Sequence, residues 1–387
     1  MSYKRGNMPW RVFTPRSSKS CRKWTILFLM MALAGCAARP GPQTLDPVAS
    51  NPQGIKSIII FAATDRSPTE AKPSVLGDGR GNLTYEQFTM QPVGMATRGK
   101  EDATALSRES DPSKDFITTG RRQLDKASFE QSIDRMRKAD EMIAVFVHGY
   151  NTSYQEAVFR LAQLSTDARV VPVLFSWPSM ADFRGYVADR DATTYARDDL
   201  VRLLIMLSRS RPSGRIAVVG HSMGGWLVME ALRQLRLEGR DDVIARLQVG
   251  LASPDIDIDV FRRQAAVVGR LSPPLTVLIS KDDRALAVSS RLAGGKPRLG
   301  LASGDDPQIQ EIAHQSGAQI IDISTLPAGD VFNHDRFVVF ASRYAAAAQR
   351  DGSVGGARQA GVFLLDTTGR ILSLPFEGTA RIIAGSQ

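Results

Sequence analysis

The sequence predicts an α/β fold with a mostly parallel sheet and helices on both faces, and two observations lead to this prediction. From about residue 127, short and nearly continuous apolar runs alternate with amphipathic stretches, which is typical of a parallel sheet that is covered on both sides. The composition is that of an ordinary globular protein, with 43% hydrophobic and 23% charged residues in a chain of 387. It therefore excludes a multi-span membrane protein and a wholly disordered chain.

Six apolar runs are predicted as strands, and the amphipathic segments between them as helices. The strands are 142–147, 170–176, 215–219, 247–252, 275–280 and 319–323. The helices are 154–166, 193–210, 223–238, 257–268 and 283–292, with a closing helix at 336–349. Upstream, the runs 55–63 and 83–90 predict two further strands. One domain is expected over 55–350, in which the mixed segment 66–124 is interpreted as a lid or an insertion.

The N-terminus has the pattern of a bacterial lipoprotein leader. Residues 1–24 carry seven Lys or Arg and no acid, and the apolar run 25–35 follows. This run is too short to span a bilayer as a helix, which needs about 20 residues. It ends in Leu33-Ala34-Gly35-Cys36, which resembles a lipobox. The resemblance implies a signal peptide over 1–35 and a lipid anchor on Cys36; a plain signal peptide, and a start at Met8, are the alternatives.

Removal of this leader would change the charge of the protein. The full chain has a formal net charge of +9, and the loss of seven positive charges with residues 1–35 would leave about +2. The basic composition is therefore no evidence for nucleic-acid binding. Ala37, rather than Asp, follows the proposed anchor. In Gram-negative lipoproteins an Asp at this position usually retains the protein at the inner membrane, so the resemblance implies the outer membrane, facing the periplasm, rather than the inner membrane.

Two segments flank the expected domain. Residues 36–54 are rich in Pro, Gly and Gln and have no periodicity, so they are interpreted as the lipidated Cys and a flexible tether. Residues 351–387 hold two apolar runs around Thr-Thr-Gly-Arg, which indicates a hairpin of unknown role. The sequence carries no signal for the oligomeric state.

The segment Gly220-His221-Ser222-Met223-Gly224 lies between a predicted strand and a predicted helix. In this context G-x-S-x-G is typical of a nucleophile elbow. The serine sits on a tight turn that projects its Oγ above the sheet, and Gly220 and Gly224 avoid clashes two residues to either side. The N-terminus of the following helix favours the negative charge that develops in acyl transfer.

A second loop is expected to face this serine. Strand 142–147 ends in His148-Gly149-Tyr150-Asn151, which resembles the oxyanion loop of hydrolases. The backbone N–H groups of Tyr150 and Met223 are the predicted oxyanion hole. His148 is expected to orient the loop rather than to transfer protons.

The order of a serine, an acid and then a histidine leaves few candidates for the base. His148 precedes the serine and His221 lies inside the elbow, so His314 and His334 remain. His334 follows the last predicted strand and precedes the closing helix, where the base is expected. His314 lies in a polar helical patch and is expected at the surface.

Three aspartates are candidates for the acid that holds the imidazole in the correct tautomer. Asp282 and Asp283 follow strand 275–280, and Asp255 follows strand 247–252. The order of preference is Asp283, Asp282 and then Asp255.

Five motifs together resemble a bacterial α/β-hydrolase family of esterase- and lipase-like proteins, over about residues 55–345. They are HGYN at 148–151, FSWPS at 175–179, GHSMGG at 220–225, SPDID at 253–257 and DDRAL at 282–286. The resemblance implies the α/β-hydrolase fold and a triad of Ser222, Asp283 and His334. It gives no firm substrate.

The function expected from these residues is that of a membrane-anchored serine hydrolase, a carboxylesterase that works through an acyl-enzyme. A small-molecule or lipid ester is the expected substrate, and the membrane is reached through Cys36. The alternatives are a non-catalytic lipoprotein that uses the fold for binding, and lipase, thioesterase or amidase activity of the same triad. The sequence has no nucleotide or zinc motif, so no metal or organic cofactor is expected.

Overall fold

The computed structural model describes residues 39–48, 57–93, 115–136, 141–166, 168–209, 214–342 and 381–383. The chain divides into two compact units, residues 1–41 and 42–387. All helices and strands of the described residues belong to the second unit. The predicted leader and Cys36 lie outside the described residues.

Ten strands of the described residues form one mixed sheet in the order β10-β9-β8-β7-β6-β4-β5-β1-β2-β3. The seven neighbours from β9 to β1 run parallel, and β10, β2 and β3 pair antiparallel at the two edges. The mostly parallel sheet expected from the sequence is thereby confirmed. The strands are β1 Ile58–Thr69, β2 Lys72–Pro92, β3 Phe116–Leu124, β4 Met142–Val147, β5 Val170–Ser176, β6 Ile216–His221, β7 Leu247–Ala252, β8 Thr276–Ile279, β9 Gln319–Asp322 and β10 Arg381–Ile383.

Helices cover both faces of this sheet, because neighbouring residues of a strand point to opposite sides. Phe61 packs into the core that contains α1, α3, α4 and α6, whereas Ile60 packs into the core that contains α2 and residues 336–342. No helix among the described residues combines the length and apolar character that a bilayer span requires. The helices are α1 Lys126–Met136, α2 Tyr154–Ser165, α3 Tyr186–Arg209, α4 Met223–Leu237, α5 Asp241–Ile244, α6 Ile258–Val268, α7 Arg284–Leu292 and α8 Pro307–Ser316, followed by helical residues 336–342.

The hairpin of β1 and β2 is longer than the apolar runs predict. Thr64 is paired with Ser176, the last residue of β5, so β1 continues five residues past the carboxyl edge of the sheet. The glycines interpreted as a turn cluster lie within β2, since Gly79 and Gly81 let that strand approach Ser67 closely. The described parts of 66–124 are therefore mainly strand, and residues 94–114, which a lid would have to include, lie outside the described residues.

Part of the expected tether is also ordered against the sheet. Leu45 lies in the short turn Pro42–Leu45 and is buried in the core with Phe116. The backbone N–H of Val48 donates to the carbonyl oxygen of Thr118 at 2.9 Å. The side chain of Leu45 thus anchors part of a segment whose composition alone indicates a flexible coil. At the other end of the chain, only 381–383 of the extension 351–387 is described, so the predicted hairpin falls outside.

Candidate active site

Ser222 lies at the turn between β6 and α4, at the carboxyl edge of the sheet. Its backbone has φ 53° and ψ −121°, a conformation that costs a non-glycine residue about 1–3 kcal/mol. Three hydrogen bonds hold it there: its N–H donates to Ala252 O at 2.9 Å, and its carbonyl accepts from Gly225 N at 2.9 Å and Asp255 N at 3.1 Å. Ser222 is buried, with only 6% of its surface exposed. The serine is thus fixed in a strained turn.

The two elbow glycines allow the backbones around Ser222 to meet. A Cβ on Gly224 would lie 2.4 Å from the carbonyl oxygens of Val147 and His148. A Cβ on Gly220 would lie 2.7 Å from the carbonyl oxygen of Gly224. A larger residue at Gly224 would push α4 away from the end of β4, and one at Gly220 would push α4 away from β6.

The loop after β4 packs directly on the serine. A Cβ on Gly149 would lie only 2.9 Å from the Ser222 Cβ, so this glycine brings the loop backbone onto the elbow. Tyr150 is held beside it, because its hydroxyl donates to the carbonyl of Phe183 and its ring meets Tyr186 edge-on at 5.3 Å. Met223 begins α4, and the first N–H of a helix has no acceptor within the helix.

His148 is buried behind this loop as a neutral imidazole. Its ring stacks on Trp177 at 4.9 Å, and the Trp177 Nε1 donates to the His148 carbonyl at 2.7 Å. Nδ1 lies 2.9 Å from Gly149 O, and Nε2 lies 3.1 Å from Ser176 Oγ. Burial, followed by the positive charge of Arg66, lowers the pKa of His148 to about 3. These contacts fit a residue that orients the loop, and Trp177 packs that loop as a buried side chain.

His334 forms a close pair with Asp283, the aspartate ranked first from the sequence. Nδ1 of His334 lies 2.7 Å from Asp283 Oδ2, and the carboxylate is fully buried. The other oxygen, Oδ1, caps α7 by accepting from Leu286 N at 2.9 Å. Burial lowers the pKa of His334, but the charge and hydrogen bond of Asp283 outweigh it, so the pKa lies above its ordinary value.

The other two candidate acids have different partners. Asp282 pairs with Arg336, whose second guanidinium nitrogen lies 2.9 Å from Oδ2, and that oxygen also accepts from Asn333 at 3.0 Å. Asp255 is buried with Arg298 at 3.1 Å and accepts from the Ser289 hydroxyl at 2.9 Å. Of the three aspartates, Asp283 is the one that contacts the imidazole.

The loop that carries His334 is fixed by its own hydrogen bonds and by His221. Asp330 accepts from the backbone N–H of His334 at 2.8 Å. The His221 ring lies 4.6 Å from the His334 ring and stacks on Phe337 at 4.4 Å. Burial, and then the neighbouring His334, hold the pKa of His221 well below its ordinary value. His221, next in sequence to Ser222, thus joins the elbow to the His334 loop.

Within the described residues, the Ser222 hydroxyl makes no hydrogen bond to His334. Catalytic hydrogen bonds are often long before a substrate is bound. His314, expected at the surface, is exposed in the last turn of α8. No cluster of three or more His, Cys, Asp or Glu suited to a metal ion occurs in the described part of the chain.

Two buried charged residues near the loop were not predicted from the sequence. Arg66 follows the apolar run of β1, and Asp189 lies in the first turn of α3, which was expected to begin at 193. Neither belongs to a motif. The sequence offered one indication for Arg66. The pair Asp65-Arg66 comes shortly after the apolar run 58–63, where charged side chains would lie at the carboxyl edge of the sheet.

The chain resembles solved structures, and three of them show the sequence identity, coverage and TM-score of such matches. The chain is similar to ESTFA in its Fe-lacking apo form, at 12% identity over 79% of this chain and 82% of that chain, with a TM-score of 0.29. It is similar to a monoclinic form of the Pyrobaculum calidifontis esterase, at 14% identity over 79% and 95%, with a TM-score of 0.23. It is similar to one of two fungal esterases from Rhizomucor miehei, at 14% identity over 83% and 95%, with a TM-score of 0.35.

TM-scores this low are too weak to support a conclusion about the activity of this protein. A search of curated proteins finds no match to this chain. The model of a family described as alpha/beta hydrolase of unknown function (DUF900) matches residues 125–349, which is more than half of the chain. The match includes the elbow, the loop after β4, Asp283 and His334. With its mostly parallel sheet and this match, the chain belongs to the DUF900 family of alpha/beta hydrolases.

Proposed function

We propose that this protein is a serine hydrolase that cleaves carboxyl esters through an acyl-enzyme. The observation that carries the proposal is the pair of His334 and fully buried Asp283 at 2.7 Å. It lies beside the His221 ring, whose sequence neighbour Ser222 has the strained conformation of a nucleophile elbow. A buried acid that orients an imidazole near an elbow serine is the arrangement required for acyl transfer.

In the first half of the reaction, Ser222 Oγ attacks the ester carbonyl carbon and its proton passes to His334 Nε2. Asp283 keeps the Nδ1 proton in place and stabilises the imidazolium. The carbonyl oxygen becomes an oxyanion, and in this proposal the N–H groups of Tyr150 and Met223 donate hydrogen bonds to it. His334 then protonates the leaving alcohol, and the acyl group remains on Ser222.

In the second half, water attacks the acyl carbon and gives its proton to His334. Collapse of the second tetrahedral intermediate returns that proton to Ser222 Oγ and releases the acid. The raised pKa of His334 makes its imidazole a stronger base toward the Ser222 proton.

Exposed apolar side chains beside the site support esters with an apolar acyl or alcohol group. Phe183 is 74% exposed and Phe332 is 48% exposed. Phe183 lies on the loop that Tyr150 contacts, and Phe332 lies two residues before His334. The two rings therefore belong to loops on either side of the elbow. An apolar acyl or alcohol group that extends from the reacting carbonyl could contact them there.

We further propose that Cys36 carries the lipid that anchors this enzyme to the envelope, with the outer membrane favoured. The support is the leader pattern of residues 1–35 and Ala37 in the sequence. Labelled palmitate should enter the wild type and not the Cys36→Ala variant. Equal labelling of both would refute the anchor without affecting the proposed hydrolase.

A fluorophosphonate probe tests the nucleophile. We expect the wild type to be labelled and Ser222→Ala to be unlabelled. Ser316→Ala is the matched control, because the Ser316 hydroxyl bonds the Ile312 carbonyl within α8, and it should be labelled like the wild type. Labelling that survives Ser222→Ala, or an unlabelled wild type, would favour the binding module instead. A panel of p-nitrophenyl ester, thioester and amide then decides the bond that is cleaved.

A further inference from the structure

We propose that Arg66 is a positioning residue that holds the oxyanion loop, and hence the Tyr150 amide, in place over Ser222. The inference rests on the proposed function, since it concerns the same site. It extends the site to the hairpin of β1 and β2, which lies outside the residues matched by the family model.

The guanidinium of Arg66 joins several segments at the carboxyl edge of the sheet. Nε donates to Ser176 Oγ at 3.1 Å, one terminal nitrogen donates to Ser179 O at 2.9 Å and Gly77 O at 2.8 Å, and the other donates to Thr152 O at 2.8 Å. Arg66 therefore ties the hairpin, the end of β5 and the loop after β4 to one planar group.

Placing this cation in the interior is costly unless it is well paired. Arg66 is 2% exposed, and burial of an unpaired charge costs several kcal/mol. Burial lowers its pKa to about 10, so it stays cationic at neutral pH. The four oxygen acceptors and the nearby carboxylates of Asp65 and Asp189 offset the cost of burial. Three of the four acceptors are backbone carbonyl oxygens, and two of these, Thr152 O and Ser179 O, lie in loops, so the cation fixes backbone positions as well as filling space.

Two routes lead from Arg66 to the atoms around Ser222. The first runs through Ser176 Oγ to His148 Nε2, and from His148 Nδ1 to the carbonyl oxygen of Gly149. With the proton on Nδ1, the imidazole donates to the glycine and accepts from the serine, and its Nε2 also lies 3.2 Å from the Trp177 carbonyl oxygen. Since Gly149 lies against the Ser222 Cβ, the position of the guanidinium sets the position of the loop over the nucleophile.

The second route secures the far side of the same loop through Asp189. Its Oδ2 accepts from Asn151 N at 3.1 Å and from Ser179 Oγ at 2.6 Å, and its Oδ1 accepts from Met180 N at 2.7 Å. Ser179 Oγ in turn accepts from Thr152 N at 3.1 Å. Arg66 holds the carbonyls of Thr152 and Ser179 while Asp189 holds their neighbours, so the loop is fixed from both directions.

The test compares Arg66→Met and Arg66→Lys with the wild type in ester hydrolysis and probe labelling. We expect kcat of Arg66→Met to fall about 10²-fold, the effect of losing one oxyanion donor, while KM stays within about threefold. Lysine keeps the charge but cannot span the four acceptors, so Arg66→Lys should show an intermediate kcat. Added guanidinium should restore part of the kcat of Arg66→Met.

Arg236→Met is the matched control, because Arg236 also donates to a backbone carbonyl, that of Val268 at 2.9 Å, but lies in the last turn of α4, at the opposite end of that helix from Ser222. Its kcat should equal that of the wild type. If Arg66→Met does not fold, Arg66→Lys decides the question. A folded Arg66 variant with wild-type kcat, or one whose KM alone changes, overturns the inference. A wild type that neither labels nor hydrolyses overturns the proposed function, and this inference with it.

Discussion

Replacing Asp283 by Asn separates the role of this carboxylate from that of its neighbour Asp282. Asparagine is as good a helix cap as aspartate, so the bond to Leu286 N should survive. The amide, however, presents an NH₂ group to His334 Nδ1, where Asp283 presents an acceptor. The imidazole must then place its proton on Nε2, which is the nitrogen that has to receive the proton of Ser222.

The size of the effect follows from the burial of the pair. Asp283 is fully buried and the His334 side chain is 15% exposed, so water cannot replace the lost acceptor well. In serine proteases the same change lowers kcat by about 10⁴-fold, which corresponds to roughly 5 kcal/mol. We expect a loss of about 10³- to 10⁴-fold here. Asp282→Asn should lose about tenfold or less, because Asp282 is 47% exposed and contacts Arg336.

The assay is the pH profile of kcat/KM for the wild type and both variants on one ester. Asp283 raises the pKa of His334 against the lowering effect of burial, so its replacement lowers that pKa. The residual activity of Asp283→Asn should therefore persist to lower pH than wild-type activity, with an unchanged unfolding midpoint. Equal losses in the two variants, or a larger loss in Asp282→Asn, would refute the assignment of Asp283.

Two predictions concern stability. Gly224→Ala places a Cβ 2.4 Å from backbone oxygens, so it should lower the free energy of unfolding by about 2–3 kcal/mol despite a gain of about 1 kcal/mol in helix propensity. Gly225→Ala is the control, because its Cβ would have its nearest contact at 3.2 Å. Its free energy of unfolding in urea should stay within about 1 kcal/mol of the wild type. Burial, and then Asp199, raise the pKa of Asp65 to about 7. The folded protein therefore binds this proton more tightly than the unfolded chain, and stability falls as pH rises from about 4 to 7. Asp65→Asn should remove the loss of stability that ionisation of the buried carboxyl causes. The free energy of unfolding should therefore rise by a few kcal/mol above pH 7 and change little below pH 4, and an equal gain at both pH values would contradict the prediction.

The sequence predicted best what local pattern determines. The sheet strands are apolar runs of ordinary length, and the six predicted strands from 142 to 323 agree with β4 to β9 within two residues at each end. Chain order and strand position left Asp283, Asp282 and Asp255 as candidate partners of His334, ranked in that order, and the family resemblance implied Asp283. The structure separates them through partners distant in sequence, such as Arg336 and Arg298.

What the sequence did not reveal depends on contacts between distant segments. Helix α3 begins at Tyr186 rather than 193, and its first turn buries Tyr186 and Asp189 but exposes Val187, so apolar residues do not mark the buried face there. Arg66 finds acceptors 86 to 113 positions away, at Thr152, Ser176 and Ser179. Leu45 joins the core from a segment with the composition of a coil.

The position of β1 beside β5 protects the protein against aggregation through an exposed strand edge. All seven residues of β5 are buried, and without β1 this strand would form a bare apolar edge. Such an edge is a template for pairing between molecules. The N-terminal hairpin covers it, and because the hairpin is synthesised before β5, the cover is already present when the vulnerable strand emerges. A chain trimmed to the family-matched residues would lack that protection during folding.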